Sequence, residues 1–531
     1  MKQSKQQAQI ELVNIVETAA AADVVRQFFG NTQADGQVFN LPADEPFTIH
    51  ISSSEEVPPD LIRRLMRNEL TAAEKSLLPE VIELNVRLQN KAGQRTWREQ
   101  TKPADLRRSL RRLLHIALSE QTGHKFPWGT LSGVRPTQVA LELLEEKRLK
   151  RDPPTRNTFS YSSEDKAATL RELEEYWKVS QPKAALALET AAAEQKLLNT
   201  IDPPAGDYIV YVGLPFCPSR CDYCSFITES AVSQASSLND YVEAVITEAK
   251  GIFQAIMHPP SAVYFGGGTP TSLEEDLFDR YVKGVLRAIP GGSNIEYTME
   301  AGRPDTITAD KLRIIREAGF KKICINPQSM IDETLAAVGR RHSVADTVTA
   351  VNLAREAGFK DINMDLIAGL PGDRKDGFLY SLDQVMELKP EAITLHTLSV
   401  KRGAFLDEDG KAGDPFLPQS WLIRQMEEAQ QRLRSIGYKP YYLYRQKTAR
   451  SGLENVGFSI NQGSIYNVAM MSDEVAVIGL GSGATSKLIR KGRADRLYNP
   501  KDLQTYIERV ESIILQKRDF LIGFDGEGIC T

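Results

Sequence analysis

The stretch Tyr211-Val-Gly-Leu-Pro-Phe-Cys217-Pro-Ser-Arg-Cys221-Asp-Tyr-Cys224 sets three cysteines at C-x3-C-x2-C spacing behind a short apolar segment. Four thiolates would close a [4Fe–4S] cluster; three leave one iron without a protein ligand. An open iron takes a small chelating molecule, and the amino and carboxylate groups of S-adenosylmethionine (SAM) suit it. An electron from the cluster can then break a carbon–sulfur bond and release a 5′-deoxyadenosyl radical. That chemistry belongs to the cofactors, which the protein positions and shields. The competing reading is a structural zinc site, which calls for four closed ligands. Cys324 and Cys530 are far away in sequence, and His124, His258, His342 and His396 have no partner at knuckle spacing. A disulfide framework fails on the odd count and on the few cysteines in so long a chain.

On either side of this stretch, from Asp207 to Val400, a strand and a helix alternate at roughly 30 residues per unit, the length of a βα pair. Short apolar, often β-branched runs predict strands at Tyr208–Leu214, Ala262–Phe265, Ile295–Glu300, Lys322–Asn326, Asp361–Ala368 and Ala392–Leu398. Amphipathic helices are predicted at Leu238–Met257, Leu273–Ala288, Ala309–Ala318, Val344–Ala357 and Gly377–Leu388, with Gly319 and Gly358 as C-terminal caps. Six units make a partial (β/α) barrel; the spacing also allows an open doubly wound sheet. Cys217, Gly266–Pro270, Glu300, Gln328 and Asp365–Gly369 then fall at strand ends, on the rim where such folds build active sites.

The flanks differ. Residues 1–155 mix helical stretches (Leu106–Glu120, Gln138–Glu146) with strand-like ones (Phe47–Ile51, Val81–Leu88), which predicts an α+β domain. Lys150–Pro154 reads as a linker, and a helical region, Ser163–Leu198, runs to the boundary Pro203-Pro-Ala-Gly206. The predicted organisation is thus an N-terminal domain at 1–155, a helical linker at 156–206, the barrel at 207–400 and a mixed extension at 401–531. In the extension, a helix at Gln419–Ile436 precedes Tyr438–Arg445, and Gly479-Leu-Gly-Ser-Gly483 reads as a tight turn after a buried strand rather than a phosphate loop. The loop Trp128–Pro136 reads as a packed turn anchored by Trp128.

The net charge of −5 gives no ground for nucleic acid or an anionic membrane as partner. The run Arg107–Arg112 has helical spacing and acidic neighbours, which suits a solvated helix face. A polar N-terminus without an apolar core predicts no signal peptide, and no apolar run is long enough for a bilayer. The expectation is a cytoplasmic enzyme.

The cysteine stretch, Tyr264-Phe-Gly-Gly-Gly-Thr-Pro-Thr271 and Met364-Asp-Leu-Ile-Ala-Gly-Leu-Pro-Gly372 together resemble the radical SAM family of oxygen-independent coproporphyrinogen III oxidase. Trp128–Pro136, Tyr441-Tyr-Leu-Tyr-Arg-Gln-Lys447 and Glu454-Asn-Val-Gly457 resemble its HemZ-type branch. The resemblance implies an α/β fold with a radical SAM barrel, and roles for single residues. Cys217, Cys221 and Cys224 would ligate the cluster, with Tyr223 as an aromatic shield and Tyr211 as the family tyrosine ahead of it. Gly266, Gly267, Gly268 and Thr269 would bring backbone close to the SAM amino group, and Glu300 would meet the SAM carboxylate or ribose. Gln328, Arg340 and Asp365 match the family's SAM-binding residues, Arg340 for a carboxylate and Asp365 for ribose hydroxyls, with Arg341 the rival of Arg340.

Two residues depart from the oxidase pattern. Gly213 stands where the oxidases carry histidine, and Ser225-Phe226 follows Cys224 where they carry a glycine and a fourth cysteine. The family implies decarboxylation of two propionates of coproporphyrinogen III, fed by a small reductant such as flavodoxin or ferredoxin. The rivals are a haem-binding chaperone on the same fold, or another radical reaction on a tetrapyrrole. His396 and Tyr444 are candidates for a proton or substrate role, and Lys401, Arg402, Arg445 and Lys447 for basic groups at the cavity mouth.

Overall fold

The computed structural model describes residues 6–522 apart from 15–17, 30–33, 36, 44–45, 56, 67–69, 132–134, 152–160, 202–206, 225–228, 231–234, 400–417, 447–448 and 491–492. Phe226, Lys401, Arg402, Lys447 and Cys530 lie outside the described residues. The chain divides into two compact units. One comprises Met1–Leu188 with Gly413–Ile423 and Arg445–Glu454; the other comprises Glu189–Ala412, Arg424–Tyr444 and Asn455–Thr531.

The first unit holds a six-stranded sheet of β1 (Gln6–Val13), β2 (Ala34–Asp35), β3 (Val38–Ala43), β4 (Thr48–Ser53), β5 (Ile82–Asn90) and β6 (Gly93–Thr101), in the order β2-β3-β1-β4-β5-β6. β5 alternates buried and exposed positions, so one face carries Ile82, Leu84, Val86 and Leu88 into the core. The helix Leu106–Thr122 covers that core with Leu110, Leu113, Leu114 and Leu118. Trp128 is fully buried, as expected of a packed turn, and its indole Nε1 donates to Glu454 Oε2 at 2.8 Å. Lys183 Nζ pairs with the other oxygen of Glu454 at 2.5 Å, and both side chains are fully buried. Arg445, expected at a cavity mouth, instead donates to the carbonyls of Leu131 and Gly452 and lies over the Trp128 ring. Two carbonyls turned inward need donors, and the guanidinium fork supplies them.

The expected helical region Ser163–Leu198 is two helices, Ser163–Glu175 and Gln181–Leu198. Ser162 and Asp165 form a reciprocal capping box at the first. Lys178 between them sits at φ 58°, a left-handed geometry that no helix continues through.

The second unit is built on β7 (Tyr208–Leu214), β8 (Phe216–Cys217), β9 (Glu229–Ser230), β10 (Ala262–Gly267), β11 (Glu296–Ala301), β12 (Lys322–Ile325), β13 (Asp361–Ala368) and β14 (Ala392–Thr397). β7, β10, β11, β12, β13 and β14 are neighbours in that order and all parallel, with helices between them. They are the predicted partial (β/α)6 barrel of an α/β fold. Gly319 (φ 92°) and Gly358 (φ 87°) close two of its helices in the left-handed region.

Among the described residues, those after 400 do not make a sheet of their own. β15 (Lys439–Tyr444) and β16 (Asn455–Ser459) extend the barrel sheet beyond β14. β17 (Ala476–Leu480), β18 (Thr485–Arg490) and β19 (Arg493–Tyr498) extend it beyond β7, with β17 parallel to β7. Among the described residues the sheet therefore has eleven strands. Among the described residues no helix is long and apolar enough to cross a membrane.

Candidate active site

β7 is buried along nearly its whole length and delivers the chain to the cysteine loop, whose first ligand candidate, Cys217, sits in β8. Cys217 and Cys221 are buried, Cys224 is partly exposed. Cys217 Sγ lies 3.3 Å from Thr269 Oγ1, so the cysteine loop and the turn after β10 are joined at a ligand candidate. Burial pushes the Cys217 thiol up to about 11, and the neighbouring charges of Cys221 and Cys224 add to this. A cation or cluster is what would offset such a cost on the thiolate form. Among the described residues no three His, Cys, Asp or Glu side chains converge on a single-ion site; a cluster binds its cysteines on separate irons and needs no such convergence.

The glycine run explains itself sterically. A Cβ on Gly266 would sit 2.3 Å from Glu300 Oε2, and one on Gly268 would sit 2.3 Å from the Phe216 carbonyl oxygen. Gly267 has φ +107° and passes 3.0 Å from the Tyr211 hydroxyl when a Cβ is placed on it. The Gly268 and Thr269 amides donate back to Leu214 and Phe216 at 2.6 and 2.7 Å. Glu300 closes this cradle: its Oε2 accepts from Tyr264 Oη at 3.0 Å. Burial first, then the charge of Asp365, raises Glu300 to about 7, against hydrogen bonds from Tyr264 and the Gly267 amide.

At the ends of β12 and β13 the chain crosses over itself. Gln328 adopts φ 68°; its amide donates to Asp365 O at 2.9 Å, and its carbonyl accepts from Ile367 N at 3.0 Å. Its side-chain Oε1, and Asn326 Oδ1 two residues earlier, are buried without a partner. Asp365 Oδ1 accepts from Asn363 Nδ2 at 2.7 Å, and Asp365 Oδ2 lies 3.5 Å from His396 Nε2. His396 Nδ1 faces Asn455 Oδ1 at 3.1 Å and the Tyr444 hydroxyl at 3.5 Å. Burial opposes the Asp365 charge, but the imidazole together with hydrogen bonds from Asn363 and Thr394 outweighs it and holds the carboxyl below its ordinary range.

Two buried arginines, 340 and 303, serve the cysteine loop. Arg340 Nε donates to Tyr223 Oη at 3.2 Å, while its other nitrogens reach the carbonyls of Asn326 and Gly302. Arg341 is exposed, so the interior arginine of the pair is 340. Arg303, which sequence reasoning missed, donates to Cys221 Sγ and to the Ser219 carbonyl. Burial, then these two guanidinium charges, push His342 down to about 3, so it is neutral.

Above the glycine cradle lies a cavity of about 730 Å³. Its wall is aromatic, with Tyr211, Tyr264, Tyr442, Tyr444, Tyr466 and Tyr498. Gly213, Gly267, Gly268 and Glu300 form one side and Ser482–Thr485 another, with Met470, Met471 and Lys501 also present. Tyr264 and Tyr466 stack at 4.2 Å. The Gly479–Gly483 segment is the expected tight turn, with Gly481 at φ +98° and Gly483 at φ +69°, and its end also lines the cavity. Gly213 opens the wall: a Cβ there would lie 3.2 Å from the Tyr211 ring and 3.3 Å from Leu480 O.

The expected residues thus gather on one rim: the cysteine loop, the Gly266–Thr269 cradle with Tyr211, and the strand-end group of Glu300, Gln328, Arg340 and Asp365. They fit a [4Fe–4S] cluster and SAM: three thiols on one short loop, a backbone cradle that admits no side chain, and two buried acceptors awaiting donors. Cys324 is buried away from the cysteine loop but beside Glu300, its register partner on β11, with Tyr264 and Asn363 in reach, and it lines a small second cavity with Lys322, Asp361 and Tyr441.

Residues 211–385 match the Radical SAM superfamily. The oxygen-independent coproporphyrinogen-III oxidase-like protein HemZ of Bacillus subtilis is 36% identical over 411 residues, covering 76% of this chain and 79% of that one. The haem chaperone HemW of the same organism is 28% identical over 277 residues, covering 52% of this chain and 69% of that one. The solved coproporphyrinogen III oxidase HemN of Escherichia coli superposes with a TM-score of 0.48 at 23% identity, over 61% of this chain and 73% of that one. With its three-cysteine loop, its glycine cradle and a HemZ relative matched along most of both chains, the protein belongs to the HemZ-type branch of the oxygen-independent coproporphyrinogen III oxidase family of radical SAM proteins.

Proposed function

We propose that the protein is a radical SAM oxidoreductase of haem biosynthesis that oxidatively decarboxylates two propionates of coproporphyrinogen III to give protoporphyrinogen IX. When bound, the cluster and SAM would supply one 5′-deoxyadenosyl radical per propionate, each taking a single hydrogen atom. Each side chain then loses carbon dioxide and one electron to an acceptor and becomes a vinyl group. A one-electron carrier such as flavodoxin or ferredoxin feeds the site. In this reading Cys217, Cys221 and Cys224 hold the cluster, and Gly266–Thr269 offer backbone to the SAM amino group. Asp365 takes the ribose hydroxyls, Gln328 and Glu300 complete the SAM contacts, and Arg340 fixes Tyr223 as a shield.

The observation that carries the reading is the aromatic cavity, about 730 Å³ and bounded by Gly267, Gly268 and Glu300. Tyrosine faces can pack on the separate pyrrole rings of a porphyrinogen, and the volume lies in the range of small-molecule sites. The test is anaerobic incubation with reductant, SAM and coproporphyrinogen III, followed by mass analysis of the tetrapyrrole. Two carbon dioxides per porphyrinogen support the reading.

A carrier of haem on the same fold is the second reading. It is favoured by the HemW relative and by Phe226 standing where the oxidases have cysteine. Tight haem binding without SAM consumption, with the porphyrinogen left untouched, would replace the first reading by this one.

A further inference from the structure

Arg303 has no part in the mechanism above. It follows β11, is only 2% exposed, and points at the cysteine loop. Its Nη2 lies 2.9 Å from Cys221 Sγ and 2.7 Å from Ser219 O, and its Nη1 lies 3.3 Å from Ser219 Oγ. An arginine keeps its proton in a protein, so this charge is permanent. A buried charge is strongly unfavourable unless it is paired. Among the described residues no carboxylate lies within ion-pair distance of Arg303 or of Arg340; the group hydrogen-bonded to Arg303 that is able to carry the opposite charge is the Cys221 sulfur, which Arg340 also faces, and the charge of Arg303 reaches Cys217 as well.

We propose that Arg303 is a positioning residue that sets the reduction potential of the cluster through Cys221, raising it and so easing the one-electron reduction that starts the chemistry. This rests on the reading that Cys217, Cys221 and Cys224 hold a [4Fe–4S] cluster. Reduction adds one negative charge to the cluster. A fixed cation that donates an N–H to a ligand sulfur stabilises the reduced state more than the oxidised one. Hydrogen bonds to the sulfurs and local charge are among the levers that move such potentials. The same side chain ties Ser219 to Cys221, so it also holds the loop in the shape that three irons require. A role in loop shape alone would affect cluster content and leave the potential where it is.

The test uses the full chain, reconstituted without oxygen, with iron and sulfide assayed per chain. The reduced fraction is followed by electron paramagnetic resonance in a redox titration without SAM. Arg303→Gln keeps a donor but removes the charge. It should keep its iron and lower the reduction equilibrium constant at least tenfold, equivalent to a midpoint lower by about 59 mV for a one-electron couple. Arg303→Lys keeps the charge and loses the fork, and should fall by a smaller, measurable part of that. An unchanged midpoint in a fully loaded Gln variant overturns the proposal. So does loss of iron from both variants, which would make Arg303 a scaffold of the loop. Should the Gln variant fail to fold, an unchanged midpoint in the Lys variant is decisive against it. A wild-type chain that assembles no cluster overturns both this proposal and the reading beneath it, which separates the two failures.

Discussion

His396 Nε2 lies 3.5 Å from Asp365 Oδ2, joining adjacent parallel strands β14 and β13 inside the barrel. Burial opposes the charge on both, yet Asp365 is held below its ordinary range and His396 above its own, as an ion pair requires. The depressed Asp365 contributes stability above its ordinary carboxylate value and loses it as pH falls through the folded value. The raised His396 contributes fully below about 6.5 and loses it as pH rises through its folded value. The pair is therefore worth most between the two. His396→Gln should cost on the order of 1–3 kcal/mol near pH 5.5 and less at pH 9. Urea denaturation at both values measures the difference.

Glu300 has the opposite sign. Its folded value of about 7 lies above the ordinary 4.5, so its contribution is greatest below 4.5 and declines as pH rises through 7. Glu300→Gln keeps an acceptor for Tyr264 and removes the buried charge. Without ligands, the variant should be more stable than the wild type by about 2–3 kcal/mol at pH 8 and nearly equal to it at pH 4.5. Paired denaturation curves decide it.

Gly268 tests the cradle. An Ala there must push against the Phe216 carbonyl, a backbone atom that cannot swing away. Gly268→Ala should destabilise the chain by about 1–3 kcal/mol and weaken SAM binding at least tenfold. Calorimetric titration with SAM measures the second effect; unchanged affinity would place SAM elsewhere.

The cysteines divide by position. Cys217→Ala, Cys221→Ala and Cys224→Ala should each abolish the cluster absorbance, whereas Cys324→Ala, at a buried site beside β12's own small cavity, should keep it. Iron content after anaerobic reconstitution is the readout, and stoichiometric zinc in its place would refute the ligand set.

Lys183 and Glu454 form a fully buried pair with Trp128 as a third member. Lys183→Met should cost about 3–5 kcal/mol, because it takes from a buried carboxylate the cation bonded to it and leaves it Trp128 and the charge of Arg445 as partners. The double variant Lys183→Met with Glu454→Gln should recover most of that loss, since the amide oxygen still accepts from Trp128. Urea midpoints of the three proteins test the cycle.

The strands of the barrel were legible because their signal is local. Apolar β-branched runs bounded by glycine and proline placed β7 and β13 at their observed limits and the other four within two residues. The strand-end residues followed from that placement. What the sequence hid depends on distant partners. Nothing near Ala476–Leu480 says that it pairs with Tyr208–Leu214. Lys178 breaks a helix with no glycine to announce it. Arg445 read as a basic group at the cavity mouth because its partners, two carbonyls and an indole, leave no trace in composition. Arg303 was missed for the same reason: its partners lie on a loop more than eighty residues earlier.

The pairing of β17 with β7 has a consequence for biogenesis. β7 has β10 on one side and β17 on the other, and β17 leaves the ribosome about half a chain length after β7. Until then the strand that carries the cysteine loop is an open edge, with its amides and carbonyls free to pair with another chain. High contact order of this kind slows folding and lengthens exposure to aggregation. A nascent chain stalled before Ala476 should therefore bind holdase chaperones and resist iron loading, while one extended past Tyr498 should not.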